Sequence, residues 1–325
     1  MNASKLPQKI ITGGSLGQIP AIYSASPKAA KRFLEFFAAE IRNRNTRKAY
    51  YKAVVRFSDW CQQEAHIDEL VDIEPVHVAA YIEQLGTVLA KPSVKQHLAA
   101  IRMLFDWLVV GQVVASNPAS VVRGPKYSVR KGKTAVLTAE EARTLLDSIP
   151  TDTAIGLRDR ALIATMIYTF ARVGAVLKMR AEDVYVQGRR TWLRLHERGG
   201  KRHEMPAHHL LDEYLEAYIK ATGVALTPKE HLFRTARGRS RQLTDDPMMQ
   251  ADAYRMVRRR ALAAGIHTKI GNHSFRATGI TEYLKNGGKL ELAQQMAAHE
   301  SARTTGLYDR RNDDISLDEV ERILI

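Results

Sequence analysis

Residues 123–133 (RGPKYSVRKGK) break both the apolar periodicity and the charge balance of this chain, with five Lys or Arg, no acid, one Pro and two Gly in eleven positions. Such a stretch resists folding into a core, because its charges would have to leave water and its Pro and Gly interrupt any regular element. A chain of 325 residues is about two domains at ~150 residues each. The basic stretch is therefore expected to be a solvated linker, with one domain over residues 27–122 and a second over 134–325. Ahead of them, residues 1–26 contain Gly13, Gly14, Gly17, Pro20 and several serines without an apolar period, and are expected to form a flexible arm.

The first domain reads as helical throughout. Tyr50, Val54, Phe57 and Cys61 follow helical spacing and define one buried stripe. Val76, Ala79, Ala80 and Leu85 mark a shorter helix expected to stop at Gly86. Val94, Leu98, Ile101, Phe105 and Leu108 form the cleanest stripe, ended by Gly111, with Pro92 where a first helical turn tolerates it. Together they predict a bundle of four or five helices. The second domain opens on Thr138 and Glu141, spaced as a capping box, and continues with an apolar helix from about Gly156 to Phe170. A β-rich patch follows at residues 184–186, 191–196 and 201–205. In its middle strand Trp192, Arg194 and His196 alternate with Leu193 and Leu195. From about Leu210 onward the chain reads as helices. The expected fold is thus mainly α, with a small antiparallel β-sheet in the second domain.

Composition narrows the function. The formal charge is 49 − 35 = +14; residues 1–130 contribute 17 − 10 = +7 and the rest 32 − 25 = +7. An excess spread over the whole molecule favours a polyanionic partner, since each cation set against a phosphate releases a counterion. Cys61 is the single cysteine, so no internal disulfide points to an oxidising compartment. No apolar run reaches the ~18 residues of a membrane span, and no apolar segment follows a basic start as in a signal peptide. A soluble intracellular protein, placed in the cytoplasm, is expected, while basic composition alone fits ribosomal and membrane-surface proteins as well.

Phosphate-binding glycine loops and metal-ligand motifs are absent from the sequence. His203, His208 and His209 cluster in the chain but read as an exposed polar loop rather than a metal set. No metal and no cofactor is expected, which leaves Arg, Lys and His to meet the charge of any phosphate chemistry. Arg172 directly follows the apolar helix and by itself could simply complement that helix's C-terminal dipole. His273 and Arg276, at i and i+3 near a helix start, share one face. Cations gain nothing from an N-terminal dipole, so the pair makes more sense aimed at an anion that the same terminus attracts. His299 and, nine residues later, Tyr308 complete an ordered series.

That series resembles the tyrosine recombinase family, also called phage integrases: Arg172, His273-Ser274-Phe275-Arg276, His299 and Tyr308 agree in identity, order and spacing. The flanking text is similar too, in Leu157-Arg158-Asp159-Arg160-Ala161-Leu162, in His299-Glu300-Ser301 with Thr304-Thr305, and in Arg47-Lys48-Ala49-Tyr50 at the start of the family's DNA-grasping helical domain. The resemblance spans residues 27–325 and implies a SAM-like core-binding domain followed by an α+β catalytic domain. Two departures stand out. The family usually has an acid three residues after its first Arg, where this chain has Ala175, so support for that Arg must come from elsewhere or be absent. The family's catalytic Lys lies on a β-turn that reads here Glu197-Arg198-Gly199-Gly200-Lys201, with Arg198 at the aligned place and Lys201 displaced beyond the glycines. Lys201 is the better proton donor, because an Arg with a pKa above ~12 releases its proton poorly; Arg198 could instead stabilise charge.

The resemblance implies a site-specific recombinase that needs neither metal nor ATP. Tyr308 attacks a DNA phosphodiester to form a 3′-phosphotyrosine, His273 takes the proton, Arg172 and Arg276 clamp the phosphate, His299 donates a hydrogen bond, and Lys201 protonates the leaving oxygen. It further implies double-stranded DNA as partner, with Arg47, Arg123, Lys126, Arg130, Lys131, Lys133, Arg198, Arg255, Arg258 and Arg259 as candidate DNA contacts. Four subunits would assemble on two sites, exchanging an apolar C-terminal helix over about residues 315–325. Two rival readings are a type IB topoisomerase and a DNA-binding accessory protein without chemistry.

Overall fold

The computed structural model describes residues 19–128, 132–197, 200, 202–238 and 242–309, which fall into two compact units divided after Ser128.

The first unit is all helical. It comprises α1 (Ala21–Ser24), α2 (Pro27–Glu35) running on into a π-helical turn (Phe36–Glu40), α3 (Arg44–Gln63), α4 (Pro75–Val88) and α5 (Lys91–Val110). Local chemistry sets the starts. Ser26 caps α2 ahead of Pro27, and the Asn43 side chain accepts from the backbone N–H of Asn45 and Thr46 to cap α3. All five stripe residues of α5 are buried, as are Val54, Phe57 and Cys61 of α3.

Two expectations need correction here. The arm expected over residues 1–26 is not flexible at its end: Ile22 and Tyr23 of α1 are buried, and the Tyr23 ring lies 4.6 Å from that of Phe33. Two apolar residues in four are too few to register as a period, so their burial is decided by the helix they meet. Residues 1–18 lie outside the described part. The shorter helix does not stop at Gly86 but runs through it to Val88, and its buried face is Val78, Tyr81, Ile82 and Leu85, while Val76 is exposed. Tyr81 turns the helix: its ring enters the core and its hydroxyl pairs with His97 Nδ1 at 2.9 Å, so an amphipathic residue occupies an interior place.

The second unit comprises α6 (Ala139–Asp147), α7 (Ala154–Tyr168), α8 (Val173–Val176), strands β1 (Val184–Gln187), β2 (Arg190–His196) and β3 (Arg202–Pro206), α9 (His209–Thr222), β4 (Arg234–Ala236), β5 (Leu243–Pro247), α10 (Gln250–Ala263), α11 (Asn272–Lys285), α12 (Leu290–Met296) and α13 (Ala302–Gly306). The capping box forms as its spacing predicts: Thr138 Oγ1 accepts from Glu141 N at 3.0 Å and Glu141 Oε2 from Thr138 N at 2.9 Å. Helix α7 is buried on every side and packs against α9 and α11. β1, β2 and β3 form an antiparallel sheet in which Leu193 and Leu195 face the core. A second antiparallel pair, β4–β5, stands where only helices were expected. Its sequences, RTA and LTDDP, alternate no apolar residues, so pairing rather than pattern creates it. Among the described residues no helix is long and apolar enough to cross a membrane.

A buried charge cluster ties these elements together. Asp159 on α7 is fully buried; its Oδ1 accepts from Arg158 Nε and Nη2 at 3.0 and 2.6 Å, and its Oδ2 accepts from Arg260 Nε of α10 at 2.9 Å. Asp159→Ala would leave Arg158 and Arg260, and the more exposed Arg259, without their counterion and should cost about 3–5 kcal/mol in chemical denaturation; a loss below about 1 kcal/mol would show that the cluster is dispensable. At Gly279 on α11 an added Cβ would stand 2.1 Å from the Ile167 carbonyl oxygen of α7. Gly279→Ala must therefore push the two helices apart and is expected to lose about 1–3 kcal/mol or more by the same measurement.

Candidate active site

The end of α7 sets the first residue of the site. Thr169 Oγ1 donates to the Thr165 carbonyl at 2.6 Å and closes the helix. Phe170 then turns the chain at φ +55°, a left-handed conformation that a bulky residue adopts only when its surroundings enforce it. Its ring is buried. Arg172 follows as the N-cap of α8 and is held from the sheet side. Glu197, just past β2, takes the Arg172 backbone N–H on Oε1 at 3.2 Å and Nη1 on Oε2 at 2.7 Å. The Glu197 side chain is only 1% exposed, whereas that of Arg172 is 35% exposed, so the guanidinium is gripped at its base and open at its rim.

Helix α11 supplies the next pair from its first turn. Arg276 is buried; its Nη1 donates to the Phe170 carbonyl and its Nη2 to the Ala297 carbonyl. One guanidinium thus joins the segment that carries Arg172 to the segment that carries His299. Ala298, between them, sits at φ +46°. The His299 ring is parallel to that of Tyr308, centroids 5.9 Å apart and planes 6° apart, and His299 Nδ1 lies 2.9 Å from Thr305 Oγ1. The backbone of Tyr308 is fixed at both polar groups: its N–H donates to Thr305 O at 2.9 Å and its carbonyl accepts from Thr281 Oγ1 at 3.1 Å. Gly132, near the end of the basic stretch, donates its N–H to the Leu307 carbonyl at 3.0 Å, next to Tyr308.

These groups act electrostatically on one another. Burial, then the charge of Arg172, pulls the Arg276 guanidinium down to about 10, against the opposing influence of Glu197 and of Tyr308. Burial, then the charges of Arg276 and Arg172, pulls His299 down to about 4. His273 is held below the ordinary imidazole value by the same causes, partial burial first, then Arg276 and Arg172. Both imidazoles are consequently neutral near pH 7, beside two guanidiniums whose charge disfavours their protonation.

The structure brings Arg172, His273, Arg276, His299 and Tyr308 together. Lys201 and Arg198, the two residues considered for the β-turn, lie outside the described residues, as do Arg130, Lys131 and the tail over residues 315–325. Of the candidate DNA contacts, Arg123, Lys126, Lys133, Arg255, Arg258 and Arg259 are exposed. Arg47 instead bonds the Ile41 carbonyl through Nε and Nη2 at 3.1 and 2.8 Å, holding the turn between α2 and α3. Arg255 pairs with Asp252, and Arg259 Nη2 approaches Asp159 to 3.7 Å.

Two features went unread in the sequence. Of the three histidines, His208 and His209 are exposed as expected, where the chain enters α9, but His203 is not. His203 lies on β3 opposite Leu195, with both ring nitrogens shut away from solvent and without a hydrogen-bond partner among the described residues. It feels both Glu197 and Arg276, and burial lowers its pKa. His208 caps α9 and stacks on Tyr168 at 4.2 Å, with His209 against it. Strand alternation around Arg202 and Glu204 was the signal available for His203. For Glu197 the only signal was the missing acid at Ala175.

The whole-chain comparisons agree with this geometry. Residues 135–314, more than half the chain, match the Phage integrase family, and residues 30–113 match the phage integrase N-terminal SAM-like domain. The chain is 27% identical over 291 residues to tyrosine recombinase XerD of Chlorobaculum tepidum, covering 86% of this chain and 91% of that one. It is 28% identical over 305 residues to XerD of Corynebacterium glutamicum, covering 90% and 96%. Among solved structures, XerH site-specific recombinase bound to palindromic difH substrate superposes with a TM-score of 0.68 at 18% identity over 94% of this chain and 91% of that one. A lambda integrase tetramer bound to a Holliday junction superposes with a TM-score of 0.69 at 18% identity, over 89% and 79%. With a family model matching more than half of its residues and a second matching its helical unit, this chain belongs to the phage integrase family, the tyrosine recombinases.

Proposed function

We propose that this protein is a site-specific DNA recombinase that cuts and rejoins strands through a 3′-phosphotyrosine on Tyr308. The observation that carries the reading is that Arg172 and Arg276 act electrostatically on each other and on both His273 and His299, with the Tyr308 ring parallel to that of His299, on a chain related to XerD along nearly its whole length. Two guanidiniums held rigid before substrate arrives suit a phosphodiester whose non-bridging oxygens gain charge as the tyrosine oxygen attacks, because preorganised cations need no rearrangement at the moment of reaction.

The roles follow from the proton inventory. A phenol with a pKa near ~10 must lose its proton to attack, and neutral His273 is able to accept it. Thr305 Oγ1, 2.9 Å from His299 Nδ1, is assigned in this reading as the donor to that nitrogen, so that His299 carries its proton on Nε2 and offers that N–H to the phosphate. As the new oxygen–phosphorus bond forms, the bond to the 5′ oxygen breaks, and that oxygen takes a proton from Lys201 or, in its place, Arg198. Energy stays in the phosphotyrosine, so rejoining requires no nucleotide. Double-stranded DNA is the partner that the +14 charge and the DNA complexes of XerH and lambda integrase support. Exposed Arg123, Lys126, Lys133 and Arg258 would meet phosphates and so position the protein rather than specify sequence. Assembly as a tetramer on two sites, with residues 315–325 exchanged between subunits, and action in the cytoplasm on nucleoid DNA belong to the same reading.

The test uses a nicked duplex made from DNA that the protein selects out of a randomised library. The wild type should leave a covalent, detergent-resistant adduct; Tyr308→Phe should bind equally and leave none. An adduct with Tyr308→Phe would remove Tyr308 as nucleophile. The pH profile gives a second test. Protonation of His273 removes the acceptor, and its pKa lies below the ordinary value, so the single-turnover rate should stay level down through neutrality and fall only below about pH 6.5. An acid limb centred above about pH 6.5 would contradict neutral His273 as the acceptor.

A further inference from the structure

We infer that Glu197 is a positioning residue for catalysis, supplying from the sheet the carboxylate that Ala175 cannot. The inference rests on the recombinase reading above and goes beyond it, because it assigns a role to a residue outside the ordered Arg, His, Arg, His, Tyr series.

Three observations converge on it. First, Ala175 stands where an acid would sit beside Arg172; it is buried and uncharged. Second, Glu197 is 22 positions further along the chain and on another element, yet both of its oxygens are given to Arg172, one to the backbone N–H at 3.2 Å and one to Nη1 at 2.7 Å. A carboxylate bound at both places fixes the backbone of the N-cap and the direction of the side chain at once, which a single contact would not do. Third, Arg172 and Arg276 repel each other across the pocket, and Glu197 is the carboxylate that opposes this repulsion at Arg276.

A buried anion seen only as a structural ion pair would be expected to consume its partner. Here the partner keeps 35% of its side chain exposed while the carboxylate keeps 1%, so Arg172 retains N–H groups for a phosphate. Glu197 also immediately precedes Arg198 in the sequence, and drawing its carboxylate onto Arg172 registers the end of β2 against the clamp.

The experiment compares full-length wild type, Glu197→Gln and Glu197→Asp on the nicked duplex that yields the wild-type adduct, measuring DNA affinity, thermal midpoint and single-turnover cleavage at saturating protein. Glu197→Gln keeps shape and one acceptor but loses the charge. It should bind DNA within about threefold of wild type and cleave about 100-fold more slowly, the scale at which a ~1 Å misplacement of a reacting group is felt. Glu197→Asp, which keeps the charge on a shorter stem, should recover part of that loss. A Glu197→Gln enzyme that cleaves within about threefold of wild type would overturn the inference. So would a loss of rate matched by an equal loss of affinity or of folded protein, or an Asp variant no faster than the Gln variant. Should Glu197→Gln prove unfolded by its thermal midpoint, the Asp variant decides alone: a folded Asp enzyme slowed at unchanged affinity supports the role, and one at the wild-type rate refutes it. Absence of a wild-type adduct would instead sink the recombinase reading, and the two failures are thereby told apart.

Discussion

The Arg276 guanidinium is the interaction on which the site depends. Buried in the first turn of α11, it donates to the carbonyls of Phe170 and Ala297, residues that belong to segments far apart in the chain. Both carbonyls lie at backbone turns that L residues adopt at a cost, Phe170 at φ +55° and Ala298 at φ +46°. Strained turns of this kind persist where neighbouring structure over-determines them, and Arg276 supplies that determination in both places. Through the first it positions Arg172; through the second, His299 and the ring of Tyr308 stacked on it. The close approach of Gly279 to α7 matters for the same reason, since any added bulk there would move Arg276 relative to Phe170.

Concentrating cations has a predictable electrostatic result. Two guanidiniums near each other and away from bulk water depress the proton affinity of every base beside them. Burial first, and then the charges of Arg276 and Arg172, bring His299 down to about 4 and also shift His273 down, which is why the site holds neutral rings rather than a third and fourth positive charge. Neutral imidazoles can accept or relay protons, whereas the guanidiniums provide permanent charge. The division of labour follows from burial and proximity alone. Glu197 moderates the repulsion while leaving the rim of Arg172 open.

Much of this was legible in the residues. The helical stripe from Val94 to Leu108, the capping box at Thr138 and the alternation in β2 all express local rules, and each appears in the structure as its spacing implies. Where a side chain's place is set by a distant partner, local rules failed. Ile22 and Tyr23 are buried because α2 covers them, the face of α4 is turned by Tyr81 reaching His97, and β4 and β5 exist only as a pair. His203 looked like a surface histidine because nothing in its neighbourhood along the chain shows that Glu197 and Arg276 stand beside it.

The periodic elements, the cationic excess and the identity and order of Arg172, His273, Arg276, His299 and Tyr308 are readable along the chain, because periodicity, charge and motif spacing are linear properties. Folding alone makes these groups act on one another, spends Arg276 partly on holding two backbone turns, and gives the missing acid at Ala175 a counterpart in Glu197. Each of those facts depends on contacts between residues remote in the chain, and a carboxylate brought in from a strand leaves no local pattern to read.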